Sequence, residues 1–294
     1  MVGNRRGAAF EYFMVIFWIC GLVVVVLLIT LIIAVIMLSN AFRNRIITEE
    51  IFLKSLPDEF DGFRLLFITD IHRRRLPTAL LTPLKGKVGA VLLGGDLTEK
   101  NSPLDRLTDN MTLVTSIAPT YVVHGNHDYR ADISLVDQII RSSGAKLLMD
   151  ENVRIEREGA SLWLTGVDFP KKGGNTSYRP LPGLTSRASS INNTCRIILV
   201  HDPLWLSKRQ SVPADLILAG HTHGGQVILP FLGQRHVENF YHKYDAGMFH
   251  WPRRDGTGRD AKLLISRGFG TSHLPIRWGS PAEMHILTLR KEKH

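Results

Sequence analysis

The chain has 294 residues, 44% of them hydrophobic, enough for one large domain or two small ones. Its 36 Lys and Arg against 27 Asp and Glu leave a net charge of +9 with histidine neutral, which favours anionic partners: lipid headgroups, phosphorylated substrates or nucleic acid. Its two cysteines fall inside a long apolar run (Cys20) and at the start of an apolar strand (Cys195), which excludes an intrachain disulfide as a framework.

From Tyr12 through Phe42 there is no charged residue, no His and no Pro. A bilayer core needs about 20 apolar residues, so "FMVIFWICGLVVVVLLITLIIAVIML" spans with tilt to spare. A cleaved signal peptide is the rival reading. Its apolar region runs to only ~15 residues, although Ser39 and Ala41 form a small-x-small cleavage site. Arg5 and Arg6 hint at a twin-arginine signal, but the bulky apolar residues expected after it are missing. Arg5, Arg6 and the amino terminus nearly balance Arg43, Arg45 and Lys54 beyond the span, so the positive-inside rule assigns no side. The organisation read from this is a tail and transmembrane anchor over 1–42, a juxtamembrane linker over 43–62 and one folded domain over 63–294.

The predicted strands are "FRLLFIT" (63–69), "VGAVLL" (88–93), "TYVV" (120–123), "SLWLTG" (161–166), "CRIILV" (195–200), "ADLILA" (214–219), "QVIL" (226–229), "KLLIS" (262–266) and "MHILTL" (284–289). Most are rich in β-branched or large aliphatic residues, as buried strands are. Residues 103–117 and 132–143 show helical spacing of Leu, Val and Ile, with Ser102 as N-cap ahead of Pro103. The polar segment 171–193, rich in Gly, Ser and Asn, reads as a long surface loop. Strands alternating with helices early, then mainly strands, point to an α/β layered domain with a mixed sheet.

Five of these strands run directly into Asp, Asn or His. They end in Asp70-Ile71-His72, Gly94-Gly95-Asp96, Gly125-Asn126-His127-Asp128, His201-Asp202 and Gly220-His221-Thr222-His223. That edge of an α/β sheet is where ligands bind, and the glycines let the backbone turn sharply beside a bound group. Any one block could be a polar pair at a loop. Together they offer carboxylates, an amide and imidazoles without a thiolate, a donor set suited to manganese, iron or zinc. There are too many donors for one ion; with one shared carboxylate they fit two.

In this order, D-x-H, G-D, G-N-H-D, H and G-H-x-H resemble the calcineurin-like metallophosphoesterase superfamily over about Phe63 to Leu289. "GHTHGGQVILP" and "LLISRGFGTSHLPIRWGSPAEMHILTL" look like its bacterial envelope branch, which includes membrane-anchored phosphodiesterases and relatives of UDP-2,3-diacylglucosamine pyrophosphatases. The resemblance implies a layered β-sandwich flanked by helices and two divalent ions, manganese first, with iron or zinc as alternatives. It implies that Asp70, His72 and His223 hold one ion, Asn126, His201 and His221 the other, and Asp96 bridges them. It further implies in-line attack of activated water on phosphorus, with His127 donating a hydrogen bond or proton to the phosphoryl or leaving oxygen and Asp128 orienting His127. The implied substrate is a phosphodiester or pyrophosphate of a lipid-linked or envelope compound, such as UDP-2,3-diacylglucosamine or a phospholipid, at the bacterial cytoplasmic membrane.

Three arginines, Arg73 to Arg75, follow the first ligand pair, and cations beside a metal call for an anion between them. One or two are expected to reach substrate phosphate or a lipid headgroup. Arg277 is a further candidate for substrate contact, although an Arg–Glu pairing among Arg267, Arg277 and Glu283 that fixes the last strands fits equally. His124 is expected to be a strand-end packing residue, Asp202 a turn former before Pro203, Gln226 structural, and His236, His242, His250 and His273 surface residues. A nuclease or cyclic-nucleotide phosphodiesterase of the same superfamily is the alternative; no nucleic-acid module is present and none is expected to bind. A non-catalytic binding protein on the same fold is a further alternative, disfavoured because all seven ligand positions are filled.

Overall fold

The computed structural model describes residues 3–170, 178–183, 194–207, 209, 211–228, 238–252 and 260–292. Helix α1 (Gly3–Ala41) holds the apolar run, and its Phe10–Ala41 stretch is long and apolar enough to cross a membrane with none of the most apolar window buried. The chain continues as β1 (Arg45–Leu53), β2 (Arg64–Ile68), α2 (Thr78–Leu81), β3 (Ala90–Leu93), α3 (Leu104–Ile117), β4 (Thr120–Val122), α4 (Ile133–Ser142) and β5 (Lys146–Leu147). It then runs through β6 (Glu151–Arg157), β7 (Ala160–Val167), β8 (Arg196–Val200), β9 (Leu216–Ala219), α5 (Asn239–Lys243), β10 (Gly247–Pro252), β11 (Asp260–Ile265) and β12 (Glu283–Lys291).

Two six-stranded sheets form, in the orders β1-β12-β2-β3-β4-β5 and β10-β11-β9-β8-β7-β6. In each, the central strands run parallel, which brings the ends of β2, β3 and β4, and of β8 and β9, to a common edge. Alternate residues divide the burial. Leu65 and Phe67 share a core with Ile197 and Leu199 of the second sheet, whereas Leu66 and Ile68 face α3 and α4. A third cluster covers the far side of the second sheet, where Trp205 and Trp251 pack on Ile198 and Ile217. The result is a helix-flanked β-sandwich.

Most of the expected linker is not a linker. Residues 45–53 form β1, parallel to β12 from Arg45↔Glu283 to Leu53↔Lys291, with Ile51 and Leu53 in the inter-sheet core. "QVIL" is not a strand within the described residues: Val227 makes only isolated bridges to Trp278 and Gly279. Helix α3 is capped at Pro103, without a side-chain bond, so Ser102 lies outside it. Helix α4 has a conventional cap, Asp132 accepting from Leu135 N at 3.3 Å. Much of the expected 171–193 loop lies outside the described residues.

Candidate metal centre

The strand-end loops place three groups of donor atoms side by side: Asp70, His72 and His223; His72, Asp96 and His127; Asp96, His201 and His221. Within each group the ligand atoms lie within 4.8 Å of one another. Asp96 is shared. Its Oδ2 lies 3.8 Å from His72 Nε2 on one side and 3.4 Å from His201 Nε2 on the other. Asn126 joins the second group, with Oδ1 3.2 Å from His201 Nε2. All seven expected ligands are thus brought together.

The backbone shows what holding them requires. Asp70, His72, Asp96, His221 and His223 all have φ between 51° and 72°. Left-handed backbone is uncommon outside glycine, and it persists at functional sites where the surrounding structure enforces it. Close packing adds a second constraint. A Cβ on Gly125 would lie 2.1 Å from Asp96 Oδ1, and one on Gly220 would lie 2.4 Å from Asp70 Oδ2.

Neighbours orient the rings. His201 Nδ1 donates to the Gly94 carbonyl at 2.8 Å, turning Nε2 inward. Glu99 Oε2 stands 3.2 Å from His72 Nδ1, and Asp202 Oδ2 stands 4.0 Å from His221 Nε2. Inward-facing nitrogens approach one another: His72 Nε2 and His223 Nε2 are 3.1 Å apart, as are His221 Nδ1 and His201 Nε2. Buried lone pairs and carboxylates converging in this way fit cations, and the oxygen and imidazole donors fit divalent ions of the manganese, iron and zinc kind. Sequence reasoning missed Glu99 and assigned Asp202 only to a turn. Asp202 does accept from Leu204 N, but it also accepts from Tyr241 Oη at 2.8 Å. Glu99 stands in no motif and Asp202 merely follows the ligand His201; the contacts of both are found only by proximity.

Charge within the site is coupled. Burial alone would lower the His201 imidazole, but the Asp96 charge overrides it and holds the ring at about 10. Burial would raise Asp96, but His201 and then His72 keep it far below the ordinary carboxylate range. Burial, reinforced by the charges of His72 and Arg277, pushes His223 well down. Burial also lowers His127, to about 4, so its ring is neutral at neutral pH. Arg130 Nη1 lies 3.5 Å from His127 Nε2.

Three expected roles change. Asp128 does not orient the His127 ring. It is fully buried and accepts from Leu97 N and Thr98 N through Oδ1 and from Gly125 N through Oδ2, fixing the turn that carries Asn126 and His127. Arg277 is buried and bonded within the fold. Its buried guanidinium donates to the carbonyls of Gly270, Ser280, Arg267, Gly268 and His223, with Nη2 3.0 Å from His223 Nδ1. His124 is more than a packing residue: its nitrogens lie 2.8 Å from Asp137 Oδ1 and 3.1 Å from Asp168 Oδ1.

The arginine run separates. Arg73 pairs with Glu99, and Arg75 with Asp105 and Asp109. Arg74 caps the end of α1, donating to the carbonyls of Ala41, Phe42 and Arg43 and to Asn44 Oδ1. It also donates to Phe269 O at 2.6 Å and stacks on that ring at 3.6 Å. Arg267 pairs with Glu283 at 3.2 Å, as expected of a pair fixing the last strand. Gln226 is structural, joining Ser272 and Leu274. His242, His250 and His273 are exposed, and His236 lies outside the described residues.

A mixed α/β sandwich presenting two histidine groups about one shared carboxylate defines a metal-dependent phosphoester hydrolase. Residues 63–225 match the calcineurin-like phosphoesterase family, and the chain belongs to it. The chain is 30% identical to the Bacillus subtilis protein YpbG over 76% of this chain and 80% of that one. It is 28% identical to the phosphodiesterase YaeI of Escherichia coli (79% and 84%), and 26% identical to a transmembrane protein with metallophosphoesterase domain from Danio rerio (91% and 62%). The last of these is named a transmembrane protein, and α1 of this chain is long and apolar enough to cross a membrane. The family implies two divalent metals, which the clustered donors fit.

Proposed function

We propose that the chain is a membrane-anchored phosphoesterase that hydrolyses a phosphodiester or pyrophosphate bond of a lipid-linked or envelope substrate at the bacterial cytoplasmic membrane, with manganese as the preferred ion. The observation that carries this reading is the position of Asp96 between two histidine groups in a molecule whose apolar helix ends beside them. Asp70, His72, His223 and Asp96 would hold one ion, and Asp96, Asn126, His201 and His221 the other. Two such ions supply Lewis acidity to a phosphoryl oxygen and to water.

The remaining chemistry falls to the chain's own groups. Glu99 and the Gly94 carbonyl keep ligand rings in place, and the Asp202 carboxylate stands 4.0 Å from His221. His127, neutral because it is buried, suits a hydrogen-bond donor to the phosphoryl or leaving oxygen better than a proton donor. Asp128 fixes the backbone turn that carries His127. The purified full chain, loaded with manganese, is assayed against a chromogenic phosphodiester, phospholipids and a nucleotide-sugar lipid. Release of product from a lipid substrate supports the proposal. Inactivity on every diester and pyrophosphate counts against a phosphoesterase, and cleavage of DNA or cyclic nucleotides alone would reassign the substrate. Protease access to the domain in intact cells reads which face of the membrane it occupies.

A further inference from the structure

A cavity of about 550 Å³ lies between the end of the anchor and the metal centre. Phe42 from the anchor's end, Arg73, Arg74, Arg75, Arg106 and His273 are among its lining residues. Two of these cations are matched by acids, Arg73 by Glu99 and Arg75 by Asp105 and Asp109. Arg74 and Arg106 meet no carboxylate within ion-pair distance among the described residues. Arg74 binds the carbonyls of the anchor's end, and Arg106 makes one bond to the Arg73 carbonyl. Among the described residues the lining therefore carries positive charge that no carboxylate neutralises; carbonyls take up the Arg74 fork, which leaves the Arg106 guanidinium, whose forked donors match phosphate.

The two ends of the cavity differ. At one end, Phe42 is 56% exposed. Apolar side chains at the point where a transmembrane helix leaves the bilayer sit at the boundary of acyl chains and headgroups. At the other end, Glu99 lines the cavity and reaches His72, while the His273 ring lies 6.4 Å from the His127 ring. A molecule bridging the cavity would have apolar material toward the bilayer, an anion among the arginines and a reacting group toward His127.

We propose that this cavity is a headgroup subsite that takes the phosphate of an anionic lipid from the leaflet at which the anchor ends, so that substrate enters laterally from the protein's own bilayer. This rests on the phosphoesterase reading above. It does not depend on which face of the membrane the domain occupies, because cavity and anchor end are fixed to each other.

The test uses the full chain in detergent, with bis-p-nitrophenyl phosphate as a water-soluble substrate. Dihexanoyl phosphatidic acid and inorganic phosphate serve as inhibitors, and Arg106→Gln as the variant. Among the described residues the Arg106 side chain makes one bond, to an exposed carbonyl, so the variant should fold; its melting temperature checks this. The lipid should inhibit the wild type more strongly than inorganic phosphate does. In Arg106→Gln the lipid's inhibition constant should rise about tenfold, as loss of a charge-assisted bond predicts. The inhibition constant of inorganic phosphate and the KM of the soluble diester should stay within about twofold. An unchanged lipid constant, or an equal shift for lipid and inorganic phosphate, overturns the proposal. If the wild type turns over no diester and no pyrophosphate, the phosphoesterase reading fails on its own. Calorimetric binding of the same lipid to wild type and variant then decides the subsite, equal binding overturning it.

Discussion

The shared carboxylate and its histidine partner determine how the centre meets pH. In the metal-free chain Asp96 is held ionised and His201, near 10, is held protonated. That proton must leave before His201 Nε2 can ligate an ion, so metal affinity should rise with pH, by up to about tenfold per unit for each proton released. Calorimetry in buffers of different ionisation enthalpy should detect about one or more protons released at neutral pH. Affinity independent of pH would contradict the pairing. The metal-free stability follows the same linkage. The raised His201 contributes stability that is complete below about 6.5 and lost as pH rises through about 10. The depressed Asp96 contributes stability that is complete above about 3.8 and lost as pH falls below it.

His127 gives a separate prediction at the same scale. With its ring lowered to about 4 by burial, it is neutral across the working range. His127→Gln should lower kcat on a soluble diester by about 10²–10³-fold with little change in KM. The wild-type pH–rate profile should show no limb from this histidine between about pH 5 and 8. A limb near 6.5 that disappears in the variant would show that the imidazolium, not the neutral ring, is the working form.

At the scale of elements, legibility follows position in the sheet. The eight inner strands were all readable from sequence, because strands buried on both faces are continuous aliphatic runs such as "AVLL" and "RIILV". The four edge strands, β1, β5, β6 and β10, were not. β1 reads "RIITEEIFL" and β6 "ENVRIER", with charges on faces that meet water, and β5 is two residues long. β1 was further disguised by following the long apolar helix α1, and its partner β12 lies at the far end of the chain. The ligands were legible because each terminates an inner strand. Glu99, Asp202 and the His124 network were not, because their function depends on contacts between loops distant in sequence.

The loops also separate two uses of glycine. Gly125 is required for close approach, since a Cβ there would meet Asp96 at 2.1 Å, whereas Gly144 has φ of 85° with nothing within 4 Å of the added atom. Gly125→Ala should displace Asp96 or the Asn126 turn, reducing bound metal and lowering kcat/KM by at least about tenfold. Gly144→Ala should cost about 1 kcal/mol in backbone strain and leave metal content and turnover unchanged. Metal analysis and kinetics on the two variants separate the explanations. Equal loss of activity would mean that general destabilisation, not crowding at the ligand, is responsible.

At the scale of the molecule, the question is whether the anchor is a tether or part of the fold. Its last turn is bonded into the domain. Arg277 N donates to Met37 O at 3.0 Å and Ala282 N to Asn40 O at 3.1 Å, while Arg74 donates to the carbonyls of Ala41 and Phe42. Arg277 in turn touches His223, and Arg74 lies two residues beyond His72, so the helix end is joined to the metal centre through two short routes. A chain beginning at Arg43 loses those four acceptors. Water can replace them, so each bond is worth only about 0.5–1.5 kcal/mol and the set roughly 2–6 kcal/mol. For a domain of this size that corresponds to a fall in Tm of roughly 5–25 °C. No expected ligand precedes Asp70, so two divalent ions should still bind, and turnover of a soluble diester should remain within about threefold. Thermal melting and metal analysis of the truncated chain beside the full chain in detergent make the comparison. An unchanged Tm would make α1 a tether only. Loss of one ion would show that the bonded helix end supports the ligand loops directly.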